Sequence, residues 1–167
     1  MIILAIDPGN IKSAWVLYDS KKKRLLDFDY QDNYNARKKI NELTSLHIGR
    51  ADVVACEMIA SYGMPVGATV FDTCVWIGRF IDLVEVNGVP IEKVYRKDVK
   101  MTLCHSMKAK DANIRQALLD RFPASGGGKT PQIGVKKQPG PLFGVSGDVW
   151  AALAVAVHFG ENFQGVY

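Results

Sequence analysis

The sequence predicts an α/β domain built on a mixed sheet, and three observations carry that expectation. Three strand-like segments follow one another at the start, the first two parted by Pro8-Gly9 and the next two by a lysine-rich turn. Helical and strand-like patterns then alternate. Helices close the chain, as expected for a sheet covered by helices.

Ile2 to Ile6 form an apolar run that reads as a strand buried on both faces, and Asp7 ends it just before Pro8-Gly9. Pro lacks a donor and Gly accepts unusual dihedrals, so the strand stops there. A carboxylate in that position calls for a partner such as a cation, a donor or a metal ion, although Asp before Pro-Gly also serves simply to shape a turn. Ser13 to Asp19 alternates as a second strand, Lys21 to Arg24 makes a solvated turn, and Leu25 to Tyr30 alternates as a third. A polar helix is expected from Asn33 to Leu46, with Ala36, Ile40 and Leu43 as its apolar stripe. Ala51 to Glu57 is the next buried strand, and it too ends on a carboxylate.

The stretch from Ala68 to Asn87 predicts a long, unusually apolar helix with Val70, Cys74, Ile77, Ile81 and Val84 on one side. It also carries Phe71, Val75, Trp76 and Phe80, and a helix apolar nearly all round is buried twice. The expectation is that the sheet covers one side and a partner subunit the other. Pro90 to Tyr95 returns as a fifth strand, RKDVKMTL as a short helix or turn, and Ala109 to Phe122 as an amphipathic helix. The Gly-, Pro- and Lys-rich segment at about 123–147 is expected to be a flexible loop. An apolar helix closes the chain, with Asp148 in its first turn.

A chain of 167 residues, 48% hydrophobic and 23% charged, fits one domain with a proper core rather than a disordered protein. No apolar run reaches the length of a membrane span, and the opening run is too short for a signal peptide and lacks its basic start. Cys56, Cys74 and Cys104 are odd in number and read as reduced thiols, so the expected location is cytoplasmic. A net charge of +4 permits a nucleic-acid partner without demanding one. GGGKT (Gly126 to Thr130) is not a phosphate loop, because Pro123 stands where that motif needs Gly and the segment follows a helix. His47, His105 and His158 are scattered and form no metal spacing.

Asp7 and Glu57 end two strands that, as parallel neighbours, stand side by side where ligands bind open α/β sheets. A terminal helix packed across the sheet delivers Asp148 to the same corner. Like charges tolerate one another there if they share a cation, and hard oxygen ligands suit Mg²⁺ or Mn²⁺. Separately, Glu57 also reads as an ordinary loop-edge residue and Asp148 as a helix cap.

IDPG, the strand-end Glu57, VYRKDVKMTL, AKDANIRQALLDRF and DVWAALAVAVHF, in that order over nearly the whole chain, resemble the RuvC-type Holliday junction resolvases of the ribonuclease H-like superfamily. The resemblance implies a five-stranded mixed sheet flanked by helices, three antiparallel strands followed by two parallel ones. It implies a homodimer and Mg²⁺-dependent paired nicking of four-way DNA junctions, with two ions per site held by Asp7, Glu57 and Asp148 and Mn²⁺ as a substitute. The family offers two metal-binding positions three residues apart on the last helix. Here Asp148 meets one, and the other falls on Ala151, or on Val145 in the alternative alignment. Ser146, His158 or a water are the candidates to compensate.

Arg96, Lys97, Lys100, Lys108 and Lys110 cluster after the fifth strand and are expected to contact DNA phosphates. Val99-Lys100 resembles the family's valine-lysine pair, and Lys110 lies near a second family lysine. Lys129, Lys136 and Lys137 are placed to close over a bound arm. Tyr62 lies near the family's junction-inserting aromatic and is a candidate for stacking on a base. Two other readings remain: a nuclease of the same superfamily for another branched DNA or RNA substrate, and a junction-binding protein with weak catalysis.

Overall fold

The computed structural model describes residues 1–47, 49–61, 63 and 65–163. Five strands form one sheet: β1 (Ile2–Asp7), β2 (Lys12–Asp19), β3 (Arg24–Asp32), β4 (Val53–Met58) and β5 (Ile91–Tyr95). Their order is β3-β2-β1-β4-β5. β1 pairs antiparallel with β2, and β2 with β3, whereas β1–β4 and β4–β5 are parallel. The expected mixed sheet is therefore present. Around it lie α1 (Asn33–Thr44), α2 (Ala68–Val86), α3 (Arg96–Cys104), α4 (Asp111–Leu119) and α5 (Val149–Asn162), with a small ribbon of β6 (Gly134–Val135) and β7 (Gln138–Pro139).

Turn chemistry sets the first three strands. Backbone N–H groups of Lys21 and Lys22 donate to the Asp19 carboxylate at 3.0 and 3.1 Å, and Lys23 takes a left-handed φ of 48°. The Lys-rich run is thus a tight turn. Asp32 caps α1, accepting from the backbone of Tyr34 and Asn35. The α1 stripe of Ala36, Ile40 and Leu43 is buried as expected.

Alternation along the strands divides the core in two. Ile3, Ala5, Val53 and Ala55 face α5, α3 and α4, while Leu4, Ile6, Val54 and Cys56 face α1 and α2. On the first side Ala152, Ala154 and Ala156 let α5 lie close to the sheet. Gly160 continues this approach, since a Cβ there would stand 3.0 Å from Ser20 and 3.2 Å from Ile3. On the second side Ile77, Ile81 and Val84 of the expected α2 stripe pack on the sheet, and the structure corrects the rest of that face. The buried residues are Thr73, Trp76, Ile77, Phe80, Leu83 and Val84, and Cys74 is exposed. The face is rotated toward the two large rings because they offer more apolar area to the sheet than Val70 or Cys74. Trp76 and Phe80 are consequently core residues, and only Phe71 and Val75 of the four outer candidates remain exposed.

The 123–147 segment holds more backbone pairing than its composition suggests. Gly126 N donates to Pro131 O, Gly127 N to Gln138 O, and Gly140 N to Ile133 O, all within 2.9 Å. Gly134 has a φ of 77°, and a Cβ there would meet Gly140 N at 2.2 Å, so its glycines serve a close crossing of backbones. Leu142 anchors the segment in the core. The three cysteines are free thiols, and burial pushes Cys56 up to about 12. Among the described residues no helix is long and apolar enough to cross a membrane.

Candidate active site

The alternation that buries Ile3 and Ala5 against α5 also turns Asp7 to that face. Val53 and Ala55 do the same for Glu57 on β4. Because β1 and β4 run parallel in register, with Ala5 opposite Ala55, the two acids emerge side by side, and their carboxyls hydrogen-bond. Glu57 is the penultimate residue of β4 rather than its last, opposite Val94 of β5. α5 packs against β1 and β2 with its first turn at the same end, so Asp148 joins the rim. Asp7, Glu57 and Asp148 line one cavity of about 400 Å³, together with Arg96, Asp111, Arg115, Trp150 and Ala151 among others.

Neither Asp7 nor Asp148 is occupied by the ordinary structural task its position suggests. The turn after β1 is held by other groups: Gly9 N donates to Ser13 Oγ, Ser13 Oγ to Asn33 Oδ1 at 2.6 Å, and Asn33 Nδ2 back to Gly9 O at 2.9 Å. A Cβ on Gly9 would stand 2.3 Å from Lys12 O, so the tight turn depends on that glycine and leaves Asp7 free. Asp148 occupies the cap position of α5, yet its side chain accepts no capping hydrogen bond.

Burial, and then the neighbouring Glu57, push the Asp7 carboxyl up to about 8, with Asp148 adding and Arg96 opposing. Burial also raises Glu57, against the pull of Arg96 and the hydrogen bond from Asp7. Without a cation the pair is therefore a protonated Asp7 donating to a Glu57 carboxylate. Arg96, expected among the DNA contacts, folds into this cavity. Its Nη1 lies 3.6 Å from Glu57 Oε1 and its Nη2 2.6 Å from Asp111 Oδ1.

Tyr30 on β3 was not among the sequence candidates. It sits opposite Ala14, which sits opposite Asp7, so all three share the α5 face. Its hydroxyl lies near Asp148, and burial followed by the Asp148 charge raises its pKa. Lys12 lies 5.5 Å above its ring. Only the strand register reveals this residue, and the sequence supplies no register. Arg115, also unanticipated, stacks 4.9 Å over Trp150 at the cavity wall.

The remaining lysine candidates lie outside that cavity. Lys97 and Lys100 are on α3, Lys97 exposed and 5.9 Å over the Tyr95 ring, Lys100 half-buried. Lys108 and Lys110 are exposed between α3 and α4, where Lys108 lines a second hollow of about 240 Å³ with Cys104, Ser106, Ala109 and Asn113. Lys136 and Lys137 form the turn between β6 and β7, exposed like Lys129. Tyr62 lies outside the described residues. His158 is engaged elsewhere, its Nδ1 2.8 Å from Thr102 Oγ1. Val145 is buried, whereas Ala151 lines the cavity and presents a methyl group to it.

Three hard carboxylates around one cavity, two of them sharing a proton under strain of burial, are a donor set that fits Mg²⁺ or Mn²⁺. As arranged here, however, no group of three or more His, Cys, Asp or Glu side chains among the described residues stands close enough to hold a metal ion.

No protein-family model and no curated protein sequence matches the chain. Solved structures match by fold. The Thermus thermophilus RuvC structure superposes with a TM-score of 0.67 at 18% identity, covering 95% of this chain and 92% of that one. T. thermophilus RuvC in complex with Holliday junction substrate gives a TM-score of 0.68 at 19% identity with the same coverage. The Fowlpox virus resolvase, crystallised with substrate Holliday junction DNA, gives 0.54 at 13% identity over 99% of this chain and 100% of that one. Over nearly its whole length the chain has the ribonuclease H-like fold of the RuvC and poxvirus resolvases.

Proposed function

We propose that the chain is a divalent-cation-dependent endonuclease that resolves four-way DNA junctions by paired nicks. The observation that carries this reading is the meeting of Asp7, Glu57 and Asp148, from β1, β4 and the start of α5, in one cavity of a resolvase-like fold. Asp7, Glu57 and Asp148 would hold Mg²⁺ or Mn²⁺, which supplies Lewis-acid polarisation of a phosphodiester and an acidified water. For that role Asp7 would release its proton to solvent as the ion binds, because Asp7 and Glu57 both ligate as carboxylates. Arg96 and Arg115 on the cavity wall offer guanidinium groups to a phosphate. Lys97, Lys100, Lys108 and Lys110 hold the DNA backbone further out, Tyr62 stacks on an exposed base at the crossover, and the basic β6–β7 ribbon closes over an arm.

Two nicks on one junction need two active sites. The outer side of α2, with Phe71 59% and Val75 60% exposed, is the face we assign to a second copy of the chain.

An immobile four-way junction, labelled on each strand in turn, tests the proposal in Mg²⁺ and in Mn²⁺ beside linear duplex. Symmetric nicks near the crossover, weak on duplex, are the expected result. Equal cutting of duplex, hybrid and junction would leave a nuclease without junction selectivity. The non-ligating Ala151 favours one further reading, a junction-binding protein with weak catalysis. Tight binding without cuts in either metal would select it.

A further inference from the structure

The acid cavity already contains a fixed cation. Arg96 opens α3 directly after Tyr95, which pairs with Met58 next to Glu57, so the backbone itself delivers the guanidinium to the acids. Glu57 and Asp111 hold it from two sides at 3.6 and 2.6 Å, and it is only 29% exposed. A guanidinium stays charged throughout the working pH range, and its planar fork suits two carboxylates at once. On the α5 wall, Ala151 lines the cavity with a methyl group and no oxygen. The cavity is lined by four carboxylates, Asp7, Glu57, Asp111 and Asp148, against the two guanidiniums of Arg96 and Arg115. With every acid ionised, the excess is two negative charges. Without DNA, the state in which ions are counted below, one divalent ion neutralises it.

We propose that the site takes one divalent ion per chain and that Arg96 fills the place of the second, presenting its positive charge to the phosphate. This rests on the nuclease reading above and replaces the two-ion expectation drawn from the family resemblance.

Ion stoichiometry tests it without reference to cleavage. The intact protein, Ala151→Asp, and the double variant Ala151→Asp/Arg96→Gln are each titrated with Mn²⁺, by calorimetry and by the electron paramagnetic resonance of free Mn²⁺. Circular dichroism checks that each variant is folded. The expected series is one ion for the natural chain, one for Ala151→Asp, and two once Arg96 is also removed. Two ions on the natural chain overturn the inference while leaving the nuclease reading intact. Two ions on Ala151→Asp alone also overturn it, because Arg96 would then exclude nothing, and so does one ion on a folded double variant. Should the double variant fail to fold, the first two titrations still decide. No bound Mn²⁺ on the natural chain brings down the nuclease reading together with the inference.

Discussion

The two faces of the central sheet start from the same alternating strands and end differently. On the α1/α2 face, Leu4, Ile6, Trp15 and Leu17 are covered to the strand ends by Trp76, Ile77 and Phe80. Tyr34 packs edge-on to Trp76 at 5.0 Å, and Arg79 lies 4.3 Å over the same ring. On the α5 face the middle is equally dry, filled by alanines and valines of α5. At the end of β1 and β4, however, that helix is only beginning, and Asp7, Glu57 and Asp148 open into a cavity instead of meeting apolar cover. One face closes where the other turns polar, within one residue step of a strand: Ile6 belongs to the first and Asp7 to the second. The difference places apolar cover on one side and the proposed chemistry on the other, and that assignment can be broken.

The largest effect is expected from Asp7→Asn. On the proposed reading, loss of a carboxylate that holds the ion removes several kcal/mol of transition-state stabilisation, so junction cleavage falls by at least about a thousandfold. The fold gains rather than suffers, since Asn donates to Glu57 as the protonated Asp7 does and cannot repel it. An unchanged or higher melting temperature in EDTA beside lost cleavage is the expected pair of readings. Collapse of the fold would put Asp7 on the stability side.

Phe80→Ala probes the opposite face. Phe80 is fully buried, and truncation costs about 3–5 kcal/mol of stability. Measured by urea unfolding, the loss should leave the Mn²⁺ stoichiometry of the folded protein untouched. A changed stoichiometry would show that the two faces are coupled.

The pH dependence of the metal-free protein comes next in size. Asp7 is raised from 3.8 to about 8, so the folded state binds a proton that the unfolded state has already released across that window. Stability is then fullest below about pH 4 for this group and is lost as pH rises toward 8. In a domain of this size each kcal/mol lost lowers Tm by about 2–4 °C. Melts in EDTA from about pH 5 to 8 should show the decline. Asp7→Asn should lack it, and Mg²⁺ should flatten it by replacing the proton. An equal decline in Asp7→Asn would assign the titration to another group.

Much of this division was legible in the sequence, and the reasons are local. Asp7 and Glu57 could be read because each interrupts an apolar strand run, and Asp148 because it precedes an apolar helix; parallel pairing then brings strand ends together. The sheet could be read because period-two alternation and Pro-Gly or Lys-rich turns are short-range signals. The α2 face was misassigned because a helix apolar nearly all round has no contrast to orient it, and bulk at Trp76 and Phe80 decided what periodicity could not. Arg96 looked like one cation among several on a basic stretch. Its capture depends on the β4–β5 register, which brings Glu57, and on α4 docking against α3, which brings Asp111, and neither has a local pattern of its own. The glycines of 123–147 read as mobility, although Gly134 and Gly140 serve a backbone crossing that composition alone does not separate from disorder.

The smallest effect tests the finest point of the comparison, two tyrosines four residues apart on opposite faces. Tyr30 brings its hydroxyl near Asp148, whereas Tyr34 contributes its ring to Trp76. Tyr30→Phe keeps the ring beneath Lys12 and removes the hydroxyl, so Asp148 loses a neighbouring donor but no charge. Outer contacts to a ligating group are worth about tenfold or somewhat more in metal affinity or activity. The Mn²⁺ affinity of Tyr30→Phe should therefore fall by about tenfold, with kcat lowered and junction affinity kept. Tyr34→Phe keeps its edge-on packing and should change neither. If both variants matched the natural protein, Tyr30 would be a bystander and Asp148 would be placed by its helix alone. If Tyr34→Phe weakened Mn²⁺ binding as much as Tyr30→Phe, the site would draw on both faces, and the separation between a closed face and a chemical one would fail at its own boundary.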